Sequence, residues 1–191
     1  MSKTIVVIDA GHGWKPARDG EVIFDPGAIG YLGAAQHREA DIAALYANSL
    51  AYFLRTQHGI EAHLLLATRE RPLSLQARRR YMPQADAFVS IHLNASESKS
   101  AQGYETWYSR EHSTELAQAC HAGMQRALTG RIDRGIKQRG LTVCQREKPS
   151  VLLELGFITN ESDLQHLLLR ETRARVAREL AKAVAEFLGL G

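Results

Sequence analysis

Cysteine is scarce: Cys120 and Cys144 are the only two in 191 residues, and they form no CxxC pair. A disulfide framework is therefore excluded, and both are read as ordinary half-buried thiols. No stretch approaches the roughly 18 apolar residues that a membrane-spanning helix needs. The N-terminal apolar run, Ile5 to Ile8 closed by Asp9, is too short for a signal peptide and has no small-residue cleavage site after it. The expectation is a protein made in the cytoplasm without a signal peptide. Any work outside would then require holin-type release, lysis or another export route. An excess of charge is missing too. Lysine and arginine number 24 against 21 acidic residues, a net charge of +3, so no basic stripe argues for nucleic acid.

Several signatures are also absent. The glycine-rich stretch Gly27 to Gly33 does not end in GK[ST], which removes support for nucleotide binding, and no HExxH occurs. Asn94-Ala95-Ser96 and Asn160-Glu161-Ser162 match the glycosylation sequon by chance, given the lack of a secretion signal.

What is present is ordinary globular composition, with 45% hydrophobic and 24% charged residues. A chain of this length forms one domain and buries roughly 70% of its unfolded surface. Thr4 to Ile8 reads as a strand buried on both faces. The stretch from Asp9 to His37 holds six glycines and two prolines without a helical period, and a loop of that length in a compact domain is functional. Helical spacing of Ala43, Ala44, Ala47, Leu50, Ala51 and Leu54 predicts a helix over 39–58, closed by Gly59.

Beyond it the pattern alternates. Strands are expected over 60–66, 87–91, 103–109, 141–144 and 151–155, and helices over 73–82, 115–128 and 172–188, with Asn160 as an N-cap. The expected fold is α/β: a single domain over 1–191 with a mixed, mostly parallel sheet of about six strands and helices on both faces. The last helix sets Val176, Leu180, Val184 and Leu188 as an apolar stripe beneath a basic, solvated face.

Two of eight histidines stand out. His12 follows the first strand between Gly11 and Gly13, and His92 ends the third. In a parallel sheet both emerge at strand carboxyl ends, where α/β folds build their sites. Glu39 opens the first long helix and is the natural third ligand. Two histidines and a carboxylate with one open position is the arrangement of a zinc hydrolase. The plainer reading, loop and helix-start polar residues, remains open at this point. Glu154 sits inside the apolar run Val151 to Leu155, where a carboxylate is costly to bury. It is either a salt-bridge member or a general base whose pKa burial would raise. His37, His58, His63, His112, His121 and His166 have no partner pattern and are read as surface or loop residues. Arg69, Arg78, Lys137 and Glu105 are read as charges near the crevice without a catalytic role, and Asn94 as a turn residue.

The blocks Asp9-Ala10-Gly11-His12-Gly13, Asp25-Pro26-Gly27-Ala28-Ile29-Gly30, Glu39, Ala67-Thr68-Arg69, Ser90-Ile91-His92-Leu93-Asn94-Ala95, Gly103-Tyr104-Glu105 and Pro149 to Asn160 occur in the order of a known set. From about Thr4 to Leu188 the chain resembles the zinc-dependent N-acetylmuramoyl-L-alanine amidases of the cell-separation and phage-lysin type. The resemblance implies one Zn²⁺ on His12, Glu39 and His92, with Glu154 as the catalytic carboxylate. It implies peptidoglycan, a muramyl peptide, as substrate, cut at the amide joining the lactyl group to L-alanine. Trp14 departs from the second glycine common in the first block and is read as shaping the rim of the site or stacking on a sugar. The 53-residue interval from Glu39 to His92 is too short for a regulatory helical insertion, so an open site is expected, in a monomer without a wall-binding domain. Two other readings fit the same constellation: a zinc carboxypeptidase-like hydrolase of another amide, and a non-catalytic wall-binding module with structural zinc.

Overall fold

The β-branched run near the N-terminus forms β1 (Ile5–Ala10), in which Val6, Val7 and Ile8 are wholly buried. The computed structural model describes residues 3–190; Met1, Ser2 and Gly191 lie outside the described residues. β1 is flanked by β6 (Glu61–Leu65) and β7 (Ala87–Asn94), both parallel to it. β10 (Ser150–Phe157) adds a further parallel strand beside β7, and β8 (Tyr104–Tyr108) pairs with β10 antiparallel. β9 (Asp133–Gln138) closes that edge, parallel to β8. The six-stranded order is β6-β1-β7-β10-β8-β9, a mixed, mostly parallel sheet as the alternating pattern implied.

Alternation along the strands separates two unequal faces. Val6 and Ile8 of β1, Val89, Ile91 and Leu93 of β7, and Val151, Leu153 and Leu155 of β10 turn toward one core. That core is completed by four helices: α1 (Glu39–His58), α3 (Thr114–Ala127), α4 (Glu161–Leu168) and α5 (Arg170–Phe187). Each fully buried leucine or phenylalanine contributes about 1.5–3 kcal/mol, so this face carries most of the hydrophobic stabilisation. The stripe Val176, Leu180 and Val184 on α5 is buried there as the spacing requires. The opposite face shows Val7, Phe88 and Leu152, covered by Leu73, Ala85, Val143 and Cys144 and by the short α2 (Leu75–Arg80). This cover is thin, which leaves the even-numbered residues at the ends of β7 and β10 accessible.

Local signals explain most boundaries. α1 ends at Gly59, whose φ of 64° provides the left-handed stop. Ser74 caps α2 by accepting from the Ala77 N–H, and Asn160 caps α4 by accepting from the Asp163 N–H, as its spacing predicted.

Some expectations need correction. The 9–37 segment contains two hairpins, β2 (Gly13–Pro16) with β3 (Val22–Asp25) and β4 (Ile29–Leu32) with β5 (Ala35–Arg38). Their four-residue strands are too short and too exposed to produce a readable alternation. Residues 141–144 do not form a strand. Thr142–Cys144 is a single 3-10 turn laid against the thin face, and the strand of this region is β9. β9 escapes detection because an edge strand pairs on one side only and tolerates polar residues. Cys120 and Cys144 are fully buried rather than half-buried, and burial pushes both thiols up to about 12. No described helix is long and apolar enough to cross a membrane.

Candidate active site and metal centre

All three parallel strands that matter here deliver their carboxyl ends to one edge, and α1 begins at that same edge. His12 leaves β1 two residues after its end and adopts a φ of 61°, unusual for a residue with a side chain. Arg78 holds this conformation. Its guanidinium donates to the backbone oxygens of Ala10 and His12, and it forms an ion pair with Asp9 at the sheet centre. Asp9 also accepts from Ser90 Oγ at 2.7 Å. Arg78, read as a charge near the crevice without a catalytic role, is 4% exposed and braces the loop that presents His12.

Glu39 is the first residue of α1, where the positive end of the helix dipole favours a carboxylate. Its Oε1 accepts from the Leu93 N–H at 3.1 Å and from His92 Nδ1 at 2.9 Å. Its Oε2 accepts from the Ala28 N–H at 2.9 Å and lies 3.1 Å from His12 Nε2. Burial opposes ionisation of Glu39, but hydrogen bonds and charge from His12 and His92 outweigh it and hold the carboxyl well below the usual range. For His12, burial alone would favour the neutral ring; Glu39 and Asp25 outweigh that and raise its pKa.

The two imidazoles meet edge to face, with centroids 5.2 Å apart. Glycines make this approach possible. A Cβ on Gly11 would stand 2.3 Å from His92 Cε1, and one on Gly27 would stand 2.7 Å from His12 Cδ2 and from Glu39 Oε2. One ligand atom each from His12, Glu39 and His92 lies within 4.8 Å of the others, so the group is able to hold a metal ion.

Glu154 is the direct register partner of His92 across the β7–β10 pair, on the thin face. Its Oε2 is sealed from water and has no hydrogen-bond partner. Burial, reinforced by the negative charges of Glu39 and Glu105 against the opposing histidines, raises its pKa to about 7. A buried carboxylate left unpaired beside a cluster able to hold a metal is suited to exchange protons near neutral pH.

The structure adds groups that sequence reasoning passed over. Asp25 lies 3.3 Å from His12 Nδ1, on the side away from Glu39, and is itself held by Lys15 at 2.8 Å and by the Gly27 N–H. Its place in the Asp25-Pro26-Gly27 turn was the available signal. Asn94, read as a turn residue, is instead the last residue of β7; its Oδ1 accepts from the Ala95 N–H and its amide donates to Glu105 at 2.8 Å. His121 is not a surface residue: it is 5% exposed and bridges Thr106 and Asp133, tying α3 to β8 and β9. Trp14 stacks edge to face on Phe24 with Arg69 5.6 Å from its ring, and both aromatic rings line a cavity beside His12.

Comparison with known proteins gives a consistent answer. The N-acetylmuramoyl-L-alanine amidase family model matches residues 6–186. The catalytic domain of the amidase CwlV from Bacillus (Paenibacillus) polymyxa is 31% identical, with a TM-score of 0.83 over 98% of this chain and 99% of that domain. An N-acetylmuramoyl-L-alanine amidase from Clostridium difficile 630 is 28% identical, with a TM-score of 0.84 over 99% and 98%. The amidase LytC of Bacillus subtilis is 40% identical over 88 residues, which are 44% of this chain and 18% of LytC. With nearly the whole chain matched by the family model and the fold superposing on solved amidases over almost their full length, this chain belongs to the N-acetylmuramoyl-L-alanine amidase family.

Proposed function

We propose that the chain is a zinc-dependent hydrolase of the amide between N-acetylmuramic acid and the L-alanine of the peptidoglycan stem peptide, with His12, Glu39 and His92 as zinc ligands and Glu154 as catalytic carboxylate. The observation that carries the reading is the pairing of a two-histidine, one-carboxylate cluster with a partnerless buried carboxylate at the next strand's matching position. The donor set suits zinc, since three protein ligands leave a coordination position for chemistry.

Zinc, when bound, supplies Lewis acidity toward the scissile carbonyl and the attacking water. The residues of the chain supply the rest. Glu154 accepts the proton of the attacking water on its carboxylate and returns it to the departing alanine nitrogen. A pKa near 7 allows both halves of that transfer. Water adds to the carbonyl carbon, the C–N bond breaks, and the products are a lactyl carboxylate and a free L-alanine amino terminus. Glu39, fixed by two backbone N–H groups, holds the two imidazoles in place. Asp25 holds the far nitrogen of His12, a task that outer carboxylates perform for ligating histidines.

Purified protein acting on peptidoglycan should release new L-alanine amino termini without new reducing sugars, and chelation should abolish the release. Terminal amino acids alone would indicate a carboxypeptidase, and binding without release would indicate a wall-binding module. Asp25→Asn should weaken zinc binding about tenfold to a hundredfold while the melting temperature of the metal-free protein changes little. Competition against a chromophoric chelator reads that change, and an unaltered zinc affinity would remove Asp25 from the metal site. The reading also places the protein's work at the wall after lysis or holin-type release. Finding the activity outside intact cells would overturn that part.

A further inference from the structure

On the thin face a second cavity of about 220 Å³ runs from Glu154 past Leu152 and Trp107 to Leu141 and Arg139. A sphere of that volume is about 7.5 Å across, room for a short stretch of extended peptide.

Charge in the cavity is unevenly committed. Glu105 uses both carboxylate oxygens: Oε1 accepts from Asn94 and Trp107, and Oε2 from Arg134 and Lys137. It therefore neither repels an incoming anion strongly nor leaves Lys137 available. Arg139 differs. Its main chain is fixed by a hydrogen bond from its N–H to the Tyr108 oxygen and by one from Ser109 Oγ to its carbonyl. Its exposed guanidinium has no hydrogen-bond or ion-pair partner among the described residues, so a fork of donors stands at the cavity mouth on an anchored backbone.

Register gives the distance. Glu154 faces Glu105, Leu152 faces Trp107 and Val151 faces Tyr108, to which Arg139 is bonded. Arg139 follows β9, two strands from β10 and three register positions along, so the two backbones are about 14 Å apart and the Arg139 side chain spans about half of that gap. In a muramyl peptide the scissile nitrogen belongs to L-alanine. The next residue is a glutamate linked through its γ-carboxyl, which leaves an α-carboxylate that is either free or amidated. Two residues of extended chain cover about 7 Å, the breadth of the cavity.

We propose that this cavity is the subsite for the second stem-peptide residue and that Arg139 pairs its free α-carboxylate, which makes Arg139 a specificity-determining residue. The proposal rests on the amidase reading. Leu141, Leu152 and Trp107 form the apolar wall for the alanine methyl and glutamate methylenes.

The test compares kcat/KM of the zinc-loaded protein on two muramyl dipeptides that differ only in carrying a carboxylate or a carboxamide at this position. The wild type should prefer the carboxylate about tenfold, chiefly through KM, as fits one charge-assisted, partly exposed pair. Arg139→Gln should bring the two substrates level, and Arg139→Glu should reverse their order. Hydrolysis of both substrates at equal kcat/KM by the wild type, or a preference unchanged in Arg139→Gln, would overturn the subsite and leave the amidase reading intact. Failure to cleave either would overturn the amidase reading, and the subsite with it.

Discussion

Glu154→Gln is expected to lower kcat on peptidoglycan by about a thousandfold while zinc still binds at one ion per chain, because general acid–base groups contribute roughly 10²–10⁴ in rate. Glutamine preserves the shape of the side chain and removes only the capacity to carry a proton. The loss should therefore fall on kcat with little change in KM. Steady-state kinetics combined with metal analysis checks this, and turnover within about threefold of wild type would show that another group moves the proton.

The same substitution has a stability signature. The Glu154 pKa rises from the ordinary 4.5 to about 7 on folding, mainly through burial. Between those values the folded protein holds more protons than the unfolded chain, so the contribution of Glu154 to stability falls as pH rises through that window. In metal-free protein, Glu154→Gln should match the wild type below about pH 4.5 and exceed it above pH 7 by up to about 3 kcal/mol, the equivalent of that shift. Urea denaturation at the two pH values measures the difference. A variant less stable than wild type at pH 8 would mean that Glu154 has a stabilising partner in the folded state.

Glu39→Gln should have the other large effect, reducing zinc affinity by at least about a thousandfold and turnover with it. Loss of an outer-sphere partner costs tenfold to a hundredfold in metal affinity, and removal of a ligand's charge costs more. Glutamine keeps one oxygen for either the Ala28 or the Leu93 N–H but not both, while the backbone bonds from Glu39 N–H to Ala28 O and from Ala40 N–H to Pro26 O still hold the N-terminus of α1. This separates loss of metal from loss of fold. Dialysed variant should contain far less than one zinc per chain and still unfold in one cooperative transition, at a melting temperature a few degrees below that of metal-free wild type, since Glu39 loses a backbone donor and its charge beside the two histidines. Full zinc occupancy would exclude Glu39 from the ligand set.

The four candidate site residues were legible in the sequence because each carries a local anomaly. His12 lies between glycines, His92 ends a buried strand, Glu39 starts an amphipathic helix, and Glu154 interrupts an apolar run. Such positions are hard to explain by packing alone, and the structure brings the first three within reach of one ion. The alternation of strands and helices likewise announced the sheet, since central parallel strands are buried on both faces and read as apolar runs. Groups that act through long-range pairing gave no such signal. Asp25 belongs to a turn until the β2–β3 hairpin brings it to His12, and Glu105 resembles any strand carboxylate until β9 carries Arg134 and Lys137 beside it. β9 is polar because an edge strand can be, and Thr142–Cys144 mimics a strand because its apolar side chains cover the thin face. His121 shows the limit from the other direction. Its neighbours on α3 are unremarkable, and its partners come from β8 and β9.

The central claim is that one metal-dependent centre built from His12, Glu39, His92 and Glu154 cuts the amide between muramic acid and L-alanine. Mass spectrometry of the soluble products of a peptidoglycan digest tests it most directly. Zinc-loaded protein should release stem peptides with free L-alanine amino termini and uncut glycan, and chelated protein or Glu154→Gln should release neither in measurable amount. Products with new reducing sugars, single terminal amino acids, or undiminished release after chelation would contradict it.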